Sequence, residues 1–484
     1  MNTPLRRLAT VVVVMFVVLL GGVTWVQFGQ ASALNNDPRN VRTLYREFGK
    51  PRGPIVVAGQ AIASSTASAD AFGYQRSYAN GPLYSSVTGF YSVVNGTLGL
   101  EAAENDVLTG TADSLFLQRL QDLITGKQPQ GSAVELTINP AAQQAAWDAL
   151  GDQRGAVVAI DPSTGAILAL VSKPGYDPTT LASHDTAAAG AAYQALLAAD
   201  GNPLLTKATK ETYAPGSTFK LITAAAALES GSYTPDTSIP SPTVLPLPQT
   251  SATITNFGGE SCGNGTDTTL ADALRISCNT AFAQLGLTLG ADALAAQAAK
   301  FGFDDGGLTI PMTVAKSIFP KGLNAPKTAQ SAIGQFSVVA TPLQMAMVSA
   351  AIANGGKLMT PYLVQTVRTA NLDVVSQARP SVLSTAVSPT TAAALRDMMV
   401  GVVDNGTGTA AKISGVQVAG KTGTAQTTDQ TPPHAWFTAF APAAAPKVAV
   451  AVIVEHGGNL GNEATGGRVA APIAKAVIEA VLGG

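Results

Sequence analysis

The amino-acid sequence predicts an α+β fold: an antiparallel sheet flanked by helices, preceded by a small β-containing module and one N-terminal transmembrane helix. Three observations predict it. Paired apolar strands occur over residues 156–172 and again over 435–455. Ala-rich helical segments and Pro-rich loops fill the interval between them. One uncharged stretch near the N-terminus is long enough to cross a bilayer. Strands at both ends of a region, with helices between, imply a sheet closed from both ends of the chain and covered by those helices.

The membrane element comes first. Leu8 to Val26 carries no charge and follows Arg6 and Arg7, and its length matches the roughly 20 residues a spanning helix needs. Trp25 stands where an interfacial aromatic belongs. The expectation is a cytoplasmic stub over residues 1–7 and an anchor over 8–26. Ala31-Ser32-Ala33 has the small-x-small form of a cleavage site, so a cleaved signal peptide is the competing reading. Arg39, Arg42 and Arg46 follow the span, so a count of basic residues does not by itself orient it. Either reading exports everything after residue 34. In that oxidising compartment Cys262 and Cys278, an even count, predict one bridge. Closing a loop of that size stabilises by roughly 3 kcal/mol in the chain-entropy model. Two buried free thiols are the alternative.

Residues 35–132 carry a weak pattern of short apolar runs with scattered Gly and Ser, which reads as a small β-containing or extended module. From residue 134 the signals sharpen. Val134 to Ile138 alternates like a strand; Asn139 then caps a helix that Pro140 opens and that runs through Leu150. Ala156–Ile160 and Ala166–Ser172 form a hairpin around Asp161-Pro162-Ser163-Thr164-Gly165. Ala435–Ala441 and Lys447–Glu455 form a second. Pro472 opens a terminal helix with Ile473, Ala476, Val477, Ala480 and Val481 on one face.

Composition narrows the function. With 46% hydrophobic and 12% charged residues over 484 positions, the chain is not a mostly disordered one. Its length suits two or three domains. Lys+Arg 29 against Asp+Glu 31, with no basic run, argues against a nucleic-acid partner. His184, His434 and His456 and the two cysteines are too dispersed for a common zinc spacing, so neither a metal nor a cofactor is expected. His434 precedes a strand close to the residues discussed next; it lines a cleft rim or is an ordinary strand-end histidine, and has no catalytic role assigned.

The chemistry lies in three short patterns. Tyr213-Ala-Pro-Gly-Ser-Thr-Phe-Lys220 introduces a helix ending near Gly231, and Ser217 and Lys220, three apart, share one of its faces. A serine in a first helical turn has a free N–H and sits in the positive field of the terminus. The lysine becomes a base only if burial and a second cation lower its pKa. Alone, such a pair is more often a capping serine and a solvated lysine. Ser277-Cys278-Asn279 follows a helix-like Leu270–Ile276, offering a relay hydroxyl and an amide. Lys421-Thr422-Gly423-Thr424 follows a strand-like Val416–Val418. Gly423 lets a substrate backbone approach an edge strand. Thr422 and Thr424 carry hydroxyls for a carboxylate, and Lys421 the second cation.

In this order, S-x-x-K, S-x-N and K-T-G form the signature of penicillin-binding proteins and serine β-lactamases. The chain resembles the class B penicillin-binding proteins from about residue 134 onward. Gly155–Gly165, Ile333-Gly-Gln335, Thr341-Pro-Leu-Gln344, Ala351–Gly356, Trp436–Pro442 and Ala470-Ala-Pro472 carry the likeness beyond the motifs. It is most similar to the small group called penicillin-binding protein A. Arg52-Gly53-Pro54-Ile55 looks like the opening of the class B non-catalytic module, without the Asp-Arg pair that usually follows, and Phe336 stands where many relatives carry Gly.

The resemblance implies a D,D-transpeptidase that cross-links peptidoglycan stem peptides and is acylated by β-lactams. It implies Ser217 as nucleophile, Lys220 as base, Ser277 and Lys421 as proton carriers, and Asn279 as the group that orients Lys220 and the substrate amide. Thr422, Gly423 and Thr424 bind substrate, and the N–H groups of Ser217 and Thr424 form the oxyanion hole. Other cell-wall synthesis proteins are expected to dock on the N-terminal module. A D,D-carboxypeptidase is the alternative, with water in place of the acceptor amine. A β-lactamase needs a water-activating base, and no Glu-x-x-Leu-Asn segment lies between Asn279 and Lys421; Asp304 and Asp305 read as turn residues. A membrane-bound β-lactam sensor is expected to need several spans or an intracellular effector domain.

Overall fold

The computed structural model describes residues 2–35, 48–115, 124, 130–426 and 431–483. Arg39, Arg42 and Arg46 and parts of the 35–132 module lie outside the described residues.

A five-stranded antiparallel sheet organises the larger part of the chain. Its order is Ala419–Ala425, His434–Ala441, Val448–Val454, Gly155–Ile160 and Ile167–Lys173. C-terminal strands thus pair with the first hairpin of the region, closing the sheet from both ends of the chain. Every strand is buried on both faces, and the two-residue period sorts the side chains. Val157, Ala159, Val171, Phe437, Val450 and Val452 meet the helices Pro140–Leu150 and Ala471–Leu482 on one face. Val158, Ile160, Leu170, Trp436, Phe440, Ala451 and Ile453 meet the larger helical layer on the other. That layer includes Lys220–Glu229 and Pro342–Ala353, the latter apolar and buried nearly all round, as a central helix must be.

Local chemistry accounts for the helix starts. Asn139 accepts from Ala142 N, with Pro140 in the first turn. Thr341 accepts from Gln344 N, again followed by proline. The terminal helix is Ala471–Leu482, and its buried stripe is Ile473, Ala474, Val477 and Ile478. Ala476, Ala480 and Val481, expected to face the core, are only half-buried, with Val481 packed at the edge of the core.

A second sheet has six strands in the order Val374–Gln377, Val364–Arg368, Ala133–Leu136, Ile55–Val57, Gln60–Ala67 and Tyr74–Tyr78. The strand expected from Val134 therefore joins this sheet and not the five-stranded one. It runs parallel to Ile55–Val57 and antiparallel to Val364–Arg368. Beneath it Glu101, wholly buried, accepts from Arg52 Nε at 2.5 Å, Arg76 Nε at 2.7 Å and Tyr78 OH at 3.1 Å. Burial acts to raise the Glu101 pKa, but the two guanidinium groups outweigh it and hold the carboxyl below its usual range.

At the N-terminus, a helix over Asn2–Thr24 continues into a π-helical turn at Trp25–Gly29. Thr3–Gly29 is long and apolar enough to cross a membrane; its most apolar 18-residue window has a mean hydropathy of 2.5, and none of that window is buried against the rest of the chain.

Candidate active site

Ser217 sits in a 3₁₀ turn, Gly216–Phe219, that runs directly into the helix Lys220–Glu229. Three contacts place that turn. Gly216 N donates to Gly334 O at 2.9 Å, Trp436 Nε1 donates to Ala214 O at 3.0 Å, and Tyr213 exchanges backbone hydrogen bonds with Ala340. Gly216 has φ +52°, and a Cβ there would lie 2.8 Å from Thr424 O, so only glycine lets the turn lie against the Lys421 strand.

That strand, Ala419–Ala425, contains the Lys-Thr-Gly-Thr motif itself. Val416 makes only a one-residue bridge with Ile413, so the strand starts later than the β-branched residues suggested. Pairing makes the strand where propensity does not: Lys421, Thr422, Gly423 and Thr424 lie opposite Thr438, Phe437, Trp436 and Ala435. It is also the edge strand of its sheet, with no strand paired on its outer side among the described residues. A Cβ on Gly423 would meet Thr218 Cγ2 at 2.9 Å and Pro215 O at 3.1 Å.

The two lysines are fully buried. Lys220 Nζ donates to Ser277 O at 2.7 Å and Asn279 Oδ1 at 2.7 Å, and lies 3.3 Å from Ser277 Oγ. Lys421 Nζ donates to the same Ser277 Oγ at 2.8 Å and to Thr422 O at 2.9 Å. Burial, then the Lys421 charge, drives the Lys220 pKa well below that of an ordinary lysine. Burial brings Lys421 down to about 7. Ser277 has φ +63°, left-handed backbone that a non-glycine residue adopts only when its surroundings enforce it.

Cys278 follows directly and is bonded to Cys262, with the Cα atoms 6.1 Å apart. Ser217 and Lys220 thus come from one helix start, Asn279 from another, Ser277 from the turn before it, and Lys421–Thr424 from one strand.

Residues 155–479 match the family described as penicillin binding protein transpeptidase domain. This chain belongs to that family. Residues 52–134 match the penicillin binding protein A dimerisation domain. The peptidoglycan D,D-transpeptidase PbpA of Mycolicibacterium smegmatis is 48% identical over 100% of this chain and 99% of its own. PbpA of Mycobacterium tuberculosis is 46% identical over 100% of both chains. Among solved structures, the ceftriaxone acyl-enzyme complex of penicillin-binding protein A from M. tuberculosis superposes with a TM-score of 0.87 at 45% identity, covering 90% of this chain and all of that one. The penicillin G acyl-enzyme complex of that protein does so with a TM-score of 0.85.

Within this penicillin-binding protein the fold brings in residues that motif reading missed. Thr407 Oγ1 lies 2.6 Å from Thr422 Oγ1, setting another hydroxyl beside the strand. Its Gly-Thr-Gly setting is the only signal in the sequence, and it reads as a turn. Asn256 hydrogen-bonds the start of the Asn279 helix and has no spacing signal at all.

His434 is buried, not a surface strand-end residue. Its ring lies edge-on to Tyr213, its Nδ1 accepts from His456 N–H at 3.1 Å, and burial, then His456, lowers its pKa to about 4. It lines a cleft of about 390 Å³ beside the strand end, with Gln426, Phe336 and Glu455. Glu455 accepts from Tyr213 OH at 2.6 Å and pairs with Lys207 at 2.9 Å, so it anchors the segment leading to Ser217.

Proposed function

We propose that Ser217 is the nucleophile through which this serine D,D-transpeptidase cross-links peptidoglycan stem peptides and is acylated by β-lactams. The observation that carries the reading is the environment of Lys220: fully buried, hydrogen-bonded by Ser277 and Asn279, and facing a second lysine. Burial and the neighbouring Lys421 charge disfavour the charged form of this amine, so it gives up its proton more readily than an ordinary lysine and can serve as a base.

In this reading Ser217 Oγ attacks the penultimate D-Ala carbonyl carbon as Lys220 removes its proton. The new C–O bond forms, and the carbonyl oxygen becomes an oxyanion held by the N–H groups of Ser217 and Thr424. Each such donor typically contributes about 3–4 kcal/mol to the barrier reduction. The scissile C–N bond then breaks, and the nitrogen of the departing D-Ala receives its proton through Ser277 Oγ, which Lys421 donates to. The acyl-ester remains until an amine of a neighbouring stem peptide attacks it. Asn279 orients Lys220 and the substrate amide, Thr422 and Thr424 hold the terminal carboxylate, and Gly423 admits the peptide backbone to the open strand edge.

The same reading assigns residues 134–484 to the transpeptidase domain and 35–132 to the non-catalytic module, with cell-wall synthesis proteins as the module's partners. The N-terminal helix anchors the chain, residues 1–7 lie in the cytoplasm, and the rest is extracytoplasmic. A bridge between Cys262 and Cys278 suits that compartment.

Intact-mass spectrometry with penicillin G over hours tests the nucleophile. A stable one-to-one adduct that Ser217→Ala abolishes is the expected result. An adduct that survives in the variant overturns the assignment, and one that clears within seconds marks a β-lactamase instead.

A further inference from the structure

We propose that Asn256 is a positioning residue for this transpeptidase, holding Asn279 and Ser277 in the geometry that presents acceptors to Lys220. The inference rests on Lys220 being the base that activates Ser217.

Asn256 lies outside all three motifs, in the turn after the short strand Thr253–Thr255, and is nearly buried. Its Oδ1 accepts from Asn279 N at 2.9 Å and Thr280 N at 3.1 Å, while its Nδ2 donates to Glu260 O at 3.0 Å. These are first-turn N–H groups of the helix Asn279–Leu289, which have no partner within their own helix. The residue at the capping position, Cys278, supplies no side-chain cap, because its sulfur is bonded to Cys262. Asn256 performs the cap from another part of the chain.

The neighbouring residue completes a two-point grip. Thr255 O accepts from Asn279 Nδ2 at 3.0 Å, and Asn279 Oδ1 accepts from Lys220 Nζ at 2.7 Å. A backbone carbonyl only accepts, so Thr255 O holds Nδ2 on its side and leaves Asn279 Oδ1 facing Lys220. Asn256 fixes the main chain of Asn279 while Thr255 fixes its side chain. The same grip reaches Ser277, two residues before the helix and held in left-handed backbone. Without the cap, that turn is free to relax toward ordinary backbone. Its carbonyl, 2.7 Å from Lys220 Nζ, then moves with it. Asn256 thereby governs two of the acceptors that Lys220 uses. Among the described residues, Lys220 also faces Ser277 Oγ at 3.3 Å, Lys421, and the ring of Phe282, 5.6 Å away.

The test compares Asn256→Ala, which removes the acceptor, with Asn256→Asp, which keeps it. The second-order rate of penicillin acylation is measured against pH on the full-length protein in detergent, with melting followed in parallel. Asn256→Ala is expected to acylate about 10- to 100-fold more slowly, the cost of a small misplacement of reacting groups. Its rising pH limb moves to lower pH, because the Lys220 ammonium has lost an acceptor that favours the charged form. Asn256→Asp is expected to rescue the rate, with the limb displaced to higher pH by the added negative charge. Opposite displacements are not produced by a cap that only stabilises the helix.

The proposal is overturned if Asn256→Ala stays within about threefold of wild type, the scale of an indifferent substitution. It is equally overturned if both variants slow together with the limb unmoved. Should Asn256→Ala not fold, an unmoved limb in Asn256→Asp overturns it alone. A Ser217→Ala control in the same assay separates the two readings, since persistence of the adduct there would sink the nucleophile assignment whatever Asn256 does.

Discussion

Lys220 and Lys421 converge on one hydroxyl: their Nζ atoms lie 3.3 Å and 2.8 Å from Ser277 Oγ. One hydroxyl has a single proton to give and two lone pairs to offer. Two fully protonated lysines at this distance, both out of water, would repel each other strongly. The arrangement favours states with a proton removed from the pair, as a base adjacent to a nucleophile requires.

The first consequence is a pH dependence of acylation. The rate is expected to rise with pH along a limb set by the lowered pKa of Lys220. Lys421→Met removes one of the two causes of that lowering, so the limb is expected to move to higher pH as well as the rate to fall. Stopped-flow acylation by a fluorescent penicillin at a series of pH values measures both; an unmoved limb would contradict the coupling.

Stability carries the same signature. Lys421 titrates at about 7 in the folded chain and at about 10.4 when unfolded. Between those values the unfolded state binds more protons, so stability rises with pH. The gain from this group is absent below the folded value and complete above the unfolded one. Melting curves from pH 6 to 10 are expected to climb more steeply in wild type than in Lys421→Met. Parallel slopes would refute the lowered value.

Ser277 separates chemistry from strain. Ser277→Ala is expected to slow acylation on the order of 100-fold, the usual worth of a positioned proton carrier. Ser277→Gly is expected to be as slow yet more stable than the alanine variant by about 1 kcal/mol, because glycine adopts φ +63° without strain. Equal stabilities would place the strain elsewhere.

Gly423 tests the close approach of strand and turn. A Cβ there meets Thr218 Cγ2 at 2.9 Å, so Gly423→Ala is expected to cost about 1–3 kcal/mol of stability and to lower acylation by pushing the strand off the Ser217 turn. Wild-type acylation in this variant would show that the turn can yield.

In the second sheet, Glu101→Ala leaves Arg52 and Arg76 buried without their shared carboxylate. A loss of about 3–5 kcal/mol is expected, read by denaturant unfolding, with penicillin acylation retained by the folded molecules. Loss of acylation at unchanged stability would instead tie this network to the active site.

Much of the architecture was legible because its signals are local. The hairpin around Asp161–Gly165, the Asn139 cap and the helix after Ser217 each declare themselves within a few residues. The same is true of the three motifs, whose order carries the family resemblance. Val134 illustrates the limit: its alternation predicts a strand, yet Ile55–Val57 and Val364–Arg368, remote in sequence, decide which sheet it enters. The Lys421 strand is the converse case, formed by pairing with His434–Ala441 against weak propensity.

Sequence alone determined the residue types available for acyl transfer, the membrane-length apolar helix and the apolar runs of the two hairpins that become core strands. Tertiary structure decided which groups meet. It set both lysine Nζ atoms on Ser277 Oγ, brought Thr407 to Thr422, and sent Asn256 to cap a helix that its own Cys278 leaves uncapped. Secondary structure follows from short-range sterics and hydrogen bonding, which a few neighbouring residues specify. Convergence of distant segments depends on how the entire core packs, and no local pattern encodes that.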